Sequence, residues 1–368
     1  MKSSESISPT RKPGEDGTRA SGALAVQIKE RARALGFDLV GITAARAPAH
    51  AAEFNRWLES GFHGEMGYMA RNAEKRSDLS KVLADVRSVV VVGMNYLVAD
   101  ADSQSRPTTA RIARYAWGAG DYHEVMSERL KRLAAEMDAL GGPETRSVCY
   151  VDTGPILERD LAQRAGVGFI GKHTNLISRK MGNWVFLGEV LTNLELPPDE
   201  AEREYCGTCR RCIDVCPTRA IVAPYQLDAR LCISYLTIEL KGPIPVELRP
   251  LIGDHLFGCD DCLEVCPWNR FAKLSPVHEF QRREMPALPE FLSWDEQEFR
   301  EFFRGTPVFR IKRGGFLRNV CVVLGNTGDA SALPALARAA DDPEALVREH
   351  AAWAIDRIKF RGQKHANP

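Results

Sequence analysis

Apolar and polar positions divide the chain into sections of different period. Leu24 to Leu35 repeats at helical spacing and stops at Gly36, Phe37 to Ile42 follows as a short strand, and Ala51 to Ser60 predicts another helix, ended by Gly61. Val86 to Val92 is a nearly unbroken β-branched run, the pattern of a strand covered on both faces. Asp121 to Leu140 predicts a long amphipathic helix closed by Gly141 and Gly142. Ser147 to Val151 predicts a second buried strand, which delivers Asp152 at its end. Pro155 to Ala165 reads as a helix stopped at Gly166, and Trp184 to Leu191 as a further strand. This alternation argues an α/β or α+β domain with a covered sheet.

Pro197 to Glu204, rich in proline and acids, is a linker into a different region, and the prolines at 276, 286 and 289 mark a second linker. Beyond it, Phe291 to Phe303 predicts a helix. Phe316 to Leu324, Leu333 to Ala340 and Ala345 to Ile358 are Ala/Leu-rich helices separated by short polar turns, and together they resemble a HEAT-like repeat. A solenoid needs about three repeats to stand alone. This one is shorter, so it is expected to dock on the rest of the chain.

The region between the linkers carries the chemistry. Cys206, Cys209, Cys212 and Cys216 form C-x2-C-x2-C-x3-C, followed by Pro217. Cys232 comes next, then Cys259, Cys262 and Cys266, closed by Pro267. The first run is the bacterial signature for [4Fe–4S] ligation, whose fourth cysteine reaches across to the other cluster. By that rule Cys206, Cys209, Cys212 and Cys266 hold one cluster. Cys216 crosses to the second, with Cys259, Cys262 and, for the missing ligand, Cys232. Zinc sites favour paired C-x2-C steps and fit this run poorly. A disulfide framework is not expected in a chain with no sign of export. Cys149 and Cys321 lie in apolar stretches and read as small buried hydrophobes.

Length and charge add bounds. The 368 residues suggest two or three domains, and 49 Lys plus Arg against 49 Asp plus Glu confine any polyanion site to a local patch. No apolar run approaches the roughly 20 residues of a membrane span. Met1 to Ser21 is polar, with no secretory apolar core, and reads as a disordered tail. Oxygen-sensitive clusters without an export signal place the expectation in a reducing cytoplasm. The expected divisions are a tail at 1–22, an α/β domain at 23–196, a two-cluster domain at 197–275, and a linker with the helical unit at 276–368.

Three further features can carry chemistry. Asp152, at a strand end, is either a general acid or base or the cap of the following helix. The glycine-rich segment Gly166 to Lys172 is either a phosphate or cofactor-tail contact or a plain turn. Arg304, Arg310, Lys312, Arg313 and Arg318 form a run without acids, which suggests contacts to a phosphate backbone over a solvated helix face.

The segments Glu74-Lys75-Arg76, Ala116-Trp117-Gly118 with Asp121-Tyr122-His123, Val151-Asp152-Thr153-Gly154-Pro155, Gly166 to Lys172, and the cysteine runs with Cys232-Ile233-Ser234-Tyr235-Leu236-Thr237 stand in the order found in epoxyqueuosine reductases. With the C-terminal HEAT-like unit, the chain resembles that family over about residues 23–360. The resemblance implies an α+β architecture: a nitroreductase-like cobalamin-binding domain, a ferredoxin-like two-cluster domain and the helical repeat. It implies an oxidoreductase that reduces epoxyqueuosine to queuosine at the wobble position of tRNA, the last step of queuosine biosynthesis. Its cofactors would be base-off cobalamin and two [4Fe–4S] clusters. No histidine ligand to cobalt is expected, because Asp121-Tyr122-His123 does not continue as the corrinoid signature D-x-H-x-x-G. Asp152 is implied as the general acid, with a pKa raised by burial against corrin and substrate. Arg76, Ser234, Asp260 and Asp261 match cobalamin-contacting positions, with Leu176 and Leu187 as pocket contacts. Lys241, Arg310, Lys312, Arg313 and Arg318 would grip the tRNA. A monomer without membrane attachment is expected, fed by a low-potential electron donor that the sequence does not name.

Two rival readings share part of this pattern. A corrinoid reductive dehalogenase would lack the basic run and the helical unit, and an electron-transfer module would need neither Asp152 nor a corrin. Two cubane clusters predict about eight irons per chain after anaerobic purification. Cys232→Ala should damage the second cluster and spare the first. Zinc in place of iron in the metal analysis would overturn the ligand assignment.

Overall fold

The structure, a computed structural model, describes residues 15–99 and 110–366. Four strands form one antiparallel sheet: β1 (Leu39–Ala44), β2 (Ser88–Asn95), β3 (Ser147–Tyr150) and β4 (Val185–Thr192), in the spatial order β1-β2-β4-β3. Every residue of β2 is buried, as its β-branched run predicts. One face carries helix α1 (Glu15–Ala34) and helix α2 (Tyr122–Gly141), whose Ile28, Met126, Leu130 and Met137 pack on Val90, Val92 and Val190. The other carries helix α3 (Glu158–Arg164), whose Leu161 and Ala162 cover Leu39, Val89, Val91 and Leu191. The approach of α3 to the sheet requires Gly41, since a Cβ there would lie 2.0 Å from the Ala165 carbonyl oxygen. The sheet is thus covered on both sides although its strands are antiparallel.

Several boundaries differ from the sequence pattern, each for a local reason. Helix α1 begins at Glu15, so the end of the predicted tail is helical; the rest of the tail, residues 1–14, lies outside the described residues. The predicted helix from Phe291 to Phe303 is two short ones, Leu288–Phe291 and Glu296–Phe303. Asp295 restarts the second with a capping box, its side chain accepting from Glu298 N while Glu298 reaches back to Asp295 N. The linker after Pro197 is tied down by Asp199, which accepts from Ile42 N at 2.7 Å and pairs with Lys29.

The C-terminal helices Lys312–Thr327, Leu333–Ala339 and Ala345–Ala366 share one apolar core, to which Phe291, Phe299 and Phe303 add aromatic bulk. They dock on the cysteine-bearing region through polar side chains. Arg318, 1% exposed, donates to the carbonyls of Leu240 at 2.7 Å, Gly242 at 2.9 Å and Leu236 at 2.9 Å. Its neighbour Asn319 donates to Thr237 O at 2.8 Å and Leu256 O at 3.0 Å. Burial pushes the Arg318 pKa down to about 10, which leaves it charged at neutral pH. The expectation that Arg318 grips tRNA is therefore corrected: its guanidinium, which also donates to Asn319 Oδ1, makes four hydrogen bonds inside the protein. Arg313 is also interior, paired with Asp342 at 2.5 Å and Glu344 at 3.1 Å. The acids missing from its stretch of sequence arrive from the next turn of chain. Replacing Arg318 by Met should cost about 3–5 kcal/mol, because three buried carbonyls lose their donor. Lys should not rescue it, lacking the fork that reaches all three. An unchanged urea midpoint for Arg318→Met would exclude this framework role.

Candidate functional site

Asp152 stands just past β3 with a φ of 57°, a left-handed conformation that few non-glycine residues adopt. Across it Thr153 N donates to Val151 O at 2.5 Å, closing a three-residue turn. Such strain persists only where the surroundings hold it. Tyr122 Oη donates to Asp152 Oδ2 at 3.0 Å, and His123 Nε2 lies 3.2 Å from the same oxygen. The helix expected from Pro155 begins only at Glu158, with Leu157 at its cap position. Asp152 therefore caps no helix, and that explanation of the residue falls away.

The carboxyl of Asp152 is 58% exposed. The surrounding walls push its pKa up, but hydrogen bonds from His123 and Tyr122 and the charges of His123 and Arg159 outweigh them and hold it below the ordinary value. The raised pKa expected of a proton donor is not the property of the substrate-free site, where Asp152 rests as an anion. His123 bridges two carboxylates, with Nδ1 2.7 Å from Asp121 Oδ1 and Nε2 on Asp152. Burial lowers the His123 pKa, yet the hydrogen bonds to Asp121 and Asp152 leave it raised. Arg310 Nη2 donates to Asp121 Oδ2 at 2.8 Å and closes this side of the site.

The sequence singled out neither His123 nor Tyr122 as partners of Asp152. The readable sign was Asp121 as the cap of α2, which fixes the two residues after it at the helix start. Two more acids went unread. Glu158 opens α3, and Glu189 sits in β4 opposite Tyr150 of β3. The sign for Glu189 was a lone acid in the otherwise apolar segment Val185–Thr192.

The cysteines come together in two groups, and all ten are free. Cys206, Cys209, Cys212 and Cys266 line one cavity of about 190 Å³ with His173 and Trp268. Cys216, Cys232, Cys259 and Cys262 form the second group: burial pushes the Cys262 thiol well up, and Cys259, Cys232 and Cys216 push it further. In the first group burial raises Cys206 to about 11, with Cys266 and Cys212 adding to it. Backbone N–H groups already face the sulfurs, from Lys172 to Cys206 Sγ at 3.4 Å and from Ala220 to Cys216 Sγ at 3.3 Å. Soft donors gathered in fours, mostly half-buried, fit iron–sulfur clusters. The glycine-rich turn finds its use here, since Lys172 Nζ also donates to the carbonyls of Gly207 at 2.5 Å and Cys209 at 3.0 Å. It holds the cysteine loop. Cys149 and Cys321 stay outside both groups, Cys321 fully buried and Cys149 partly.

Among the positions expected to touch cobalamin, Arg76 is 6% exposed with Nη1 3.5 Å from Tyr68 O. Leu176 and Leu187 lie in the apolar layer beneath α3. Asp260 and Asp261 flank the second cysteine group. Asp260 Oδ2 accepts from Arg114 N at 2.6 Å, and burial lifts its pKa to about 6. Asp261 pairs with Arg111 at 2.8 Å and His255 at 3.1 Å. Ser234 Oγ donates to Cys259 O at 3.5 Å. Half-buried Tyr115 feels both Asp152 and Asp260, after burial the largest influences on its phenol, so both carboxylates lie near it. Of the basic residues, Lys241 and Lys312 are exposed and Arg310 borders Asp152's partners. Among the described residues no helix is long and apolar enough to cross a membrane.

Comparison with known proteins places this geometry. Residues 205–269 match the family described as a 4Fe-4S double cluster binding domain, and residues 76–153 match that described as epoxyqueuosine reductase QueG. The chain is 45% identical over 342 residues to the epoxyqueuosine reductase of Pseudomonas aeruginosa, covering 91% of this chain and 94% of that protein. It is 43% identical over 340 residues to that of Escherichia coli, covering 90% and 89%. A crystal structure of epoxyqueuosine reductase with an epoxyqueuosine-modified tRNA-Tyr stem loop superposes with a TM-score of 0.83 at 32% identity, over 91% of this chain and 90% of that one. The Streptococcus thermophilus enzyme gives 0.83 at 30% identity, over 90% of each chain. With mixed α/β architecture, paired cysteine groups and similarity along nine-tenths of its length, the chain belongs to the epoxyqueuosine reductase family.

Proposed function

We propose that this chain reduces epoxyqueuosine to queuosine in the anticodon of tRNA. The observation that carries the reading is Asp152, held in a strained turn by Tyr122 and His123 and lying near Tyr115, which also feels Asp260 beside the second cysteine group. Opening an epoxide to an alkene consumes two electrons and two protons and releases water. Bound cobalamin would supply a cobalt centre that collects single electrons from the clusters and delivers the pair. Arg76, Leu176 and Leu187 would hold it on the sheet side, with Ser234, Asp260 and Asp261 beside the second cluster. The two cysteine groups would ligate the clusters as grouped above, Cys232 completing the second.

The remaining roles fall to side chains of the chain. Asp152 gives its proton to the departing oxygen once substrate covers it, because losing contact with water raises a carboxyl's proton affinity. Tyr122 and His123 aim it. Lys241 and Lys312, both exposed, meet the phosphates, together with half-exposed Arg310, which also pairs with Asp121. The sheet with its covering helices corresponds to a nitroreductase-like domain over 23–196, the cysteine region to 197–275, and the helices after 276 to a HEAT-like unit on which tRNA rests.

Asp152→Asn preserves shape but carries no proton to give, so turnover should fall about 10²–10⁴-fold. Cluster content and tRNA binding should be unchanged. The measurement is queuosine formed on epoxyqueuosine-containing tRNA with excess chemical reductant, and near wild-type turnover would remove Asp152 from the mechanism. Replacing Lys241, Arg310 and Lys312 together by Gln should weaken tRNA binding and flatten its salt dependence by about one unit per lost phosphate contact. An unaltered slope would move the tRNA surface elsewhere.

A further inference from the structure

The reaction proposed above takes two protons per turnover, while Asp152 rests as an anion and can carry only one. Its source lies behind it. Glu189 sits in β4 opposite Tyr150 of β3 and Val91 of β2, on the face that α3 covers. It is 0% exposed, and neither of its carboxylate oxygens has a hydrogen-bond partner. An ionised carboxylate cannot be kept in such a place without compensation. Glu158 opens α3 over the same layer, and its Oε1 is also buried without a partner. The backbone N–H of Asp152 lies close enough to the Glu158 carboxylate to influence it, so the strained turn and the glutamate are neighbours.

The charged groups facing this pair are few. Asp152 faces it from the turn, Arg159 from α3, His123 from α2, and Arg76 from the short helix Ala73–Ser77. The cations do not win. Burial pushes Glu158 up to about 8, with the Asp152 charge adding to it. Burial pushes Glu189 well up, and Glu158 and Asp152 push it further. At neutral pH the protons of this site therefore reside behind Asp152 and not on it.

We propose that Glu158 and Glu189 form a proton store that recharges Asp152 during the reaction. When substrate covers the site, the water now reaching Asp152 is lost and its proton affinity rises toward that of Glu158. Glu158 passes its proton to the Asp152 carboxylate, Asp152 passes it to the substrate oxygen, and Glu189 restores Glu158. No electron moves in these steps, and each transfer leaves one carboxylate where another was neutralised. Between turnovers His123, whose Nε2 lies 3.2 Å from Asp152 Oδ2, returns a proton to it.

The shift also has a stability signature. Folding raises the Glu158 pKa from 4.5 to about 8, so the folded chain keeps a proton that the unfolded chain releases. Its stabilising contribution is complete below the lower value and is lost as pH rises through the upper one. Glu158→Gln should flatten that fall.

The test uses the full-length holoenzyme, wild type against Glu158→Gln and Glu189→Gln. Infrared pH titration without tRNA should show neutral carboxyl absorption at pH 7 in the wild type, diminished in each variant. Single-turnover queuosine formation should drop about 10²-fold in Glu158→Gln. The alkaline fall of wild-type activity near pH 8 should vanish in that variant, with cluster spectra and tRNA affinity unchanged. Absence of a neutral carboxyl from the wild type overturns the store, whether or not the variants fold. Wild-type rates in both variants, or an alkaline limb retained in both, overturn it equally. The infrared result stands apart from the proposed reaction, whose own failure would appear as wild-type enzyme forming no queuosine.

Discussion

Two groups of four thiols are packed together, and ionising them places several negative charges in one small volume. Burial first, and the neighbouring thiols after it, push Cys206 and Cys212 up in one group and Cys232, Cys259 and Cys262 in the other, yet metal ligation requires thiolates. Folding of the cysteine region and assembly of its clusters are therefore coupled, because the irons offset the repulsion that packing creates. The neighbouring structure serves the same end. Short helices lead into Cys216 and Cys266, the glycine-rich turn braces the first loop through Lys172, and the C-terminal helices brace the second region through Arg318 and Asn319. The apolar clusters local to residues 229–252 are small and borrow Val322 and Trp353 from that helical unit.

The Asp152 turn obeys a different constraint. Asp152 is held in a backbone conformation that costs free energy, and the holding is polar, from Tyr122 and His123. In the present chain two hydrogen bonds to a single carboxylate oxygen keep the turn in place, and both come from the first residues of α2.

What was legible in the sequence follows from the range of the interactions. Cysteine spacing is local, so the two groups could be read from the runs and the crossover rule. The covered sheet was legible because β-branched runs report burial directly. Arg313 and Arg318 were misread because their partners come from Asp342, Glu344 and Leu236 to Gly242, far along the chain. An arginine run without local acids looks solvated until the fold supplies acids and carbonyls. The protonation of Asp152 was illegible for the same reason: its neighbours lie on α2, α3 and β4, and only their convergence decides which carboxyl carries a proton.

Arg318 belongs to the helix Lys312–Thr327, which begins beside Arg310 at the rim of the Asp152 site. Its guanidinium is bolted to the segment that follows Cys232, and Asn326 fastens the far end of the same helix to Arg249 and Gly253. Rim and redox region thus share one stiff strut. A helix anchored at both ends cannot rock to signal that cargo has arrived. Any displacement of the rim therefore strains the hydrogen bonds that hold the segment after Cys232, so the two regions move together or not at all.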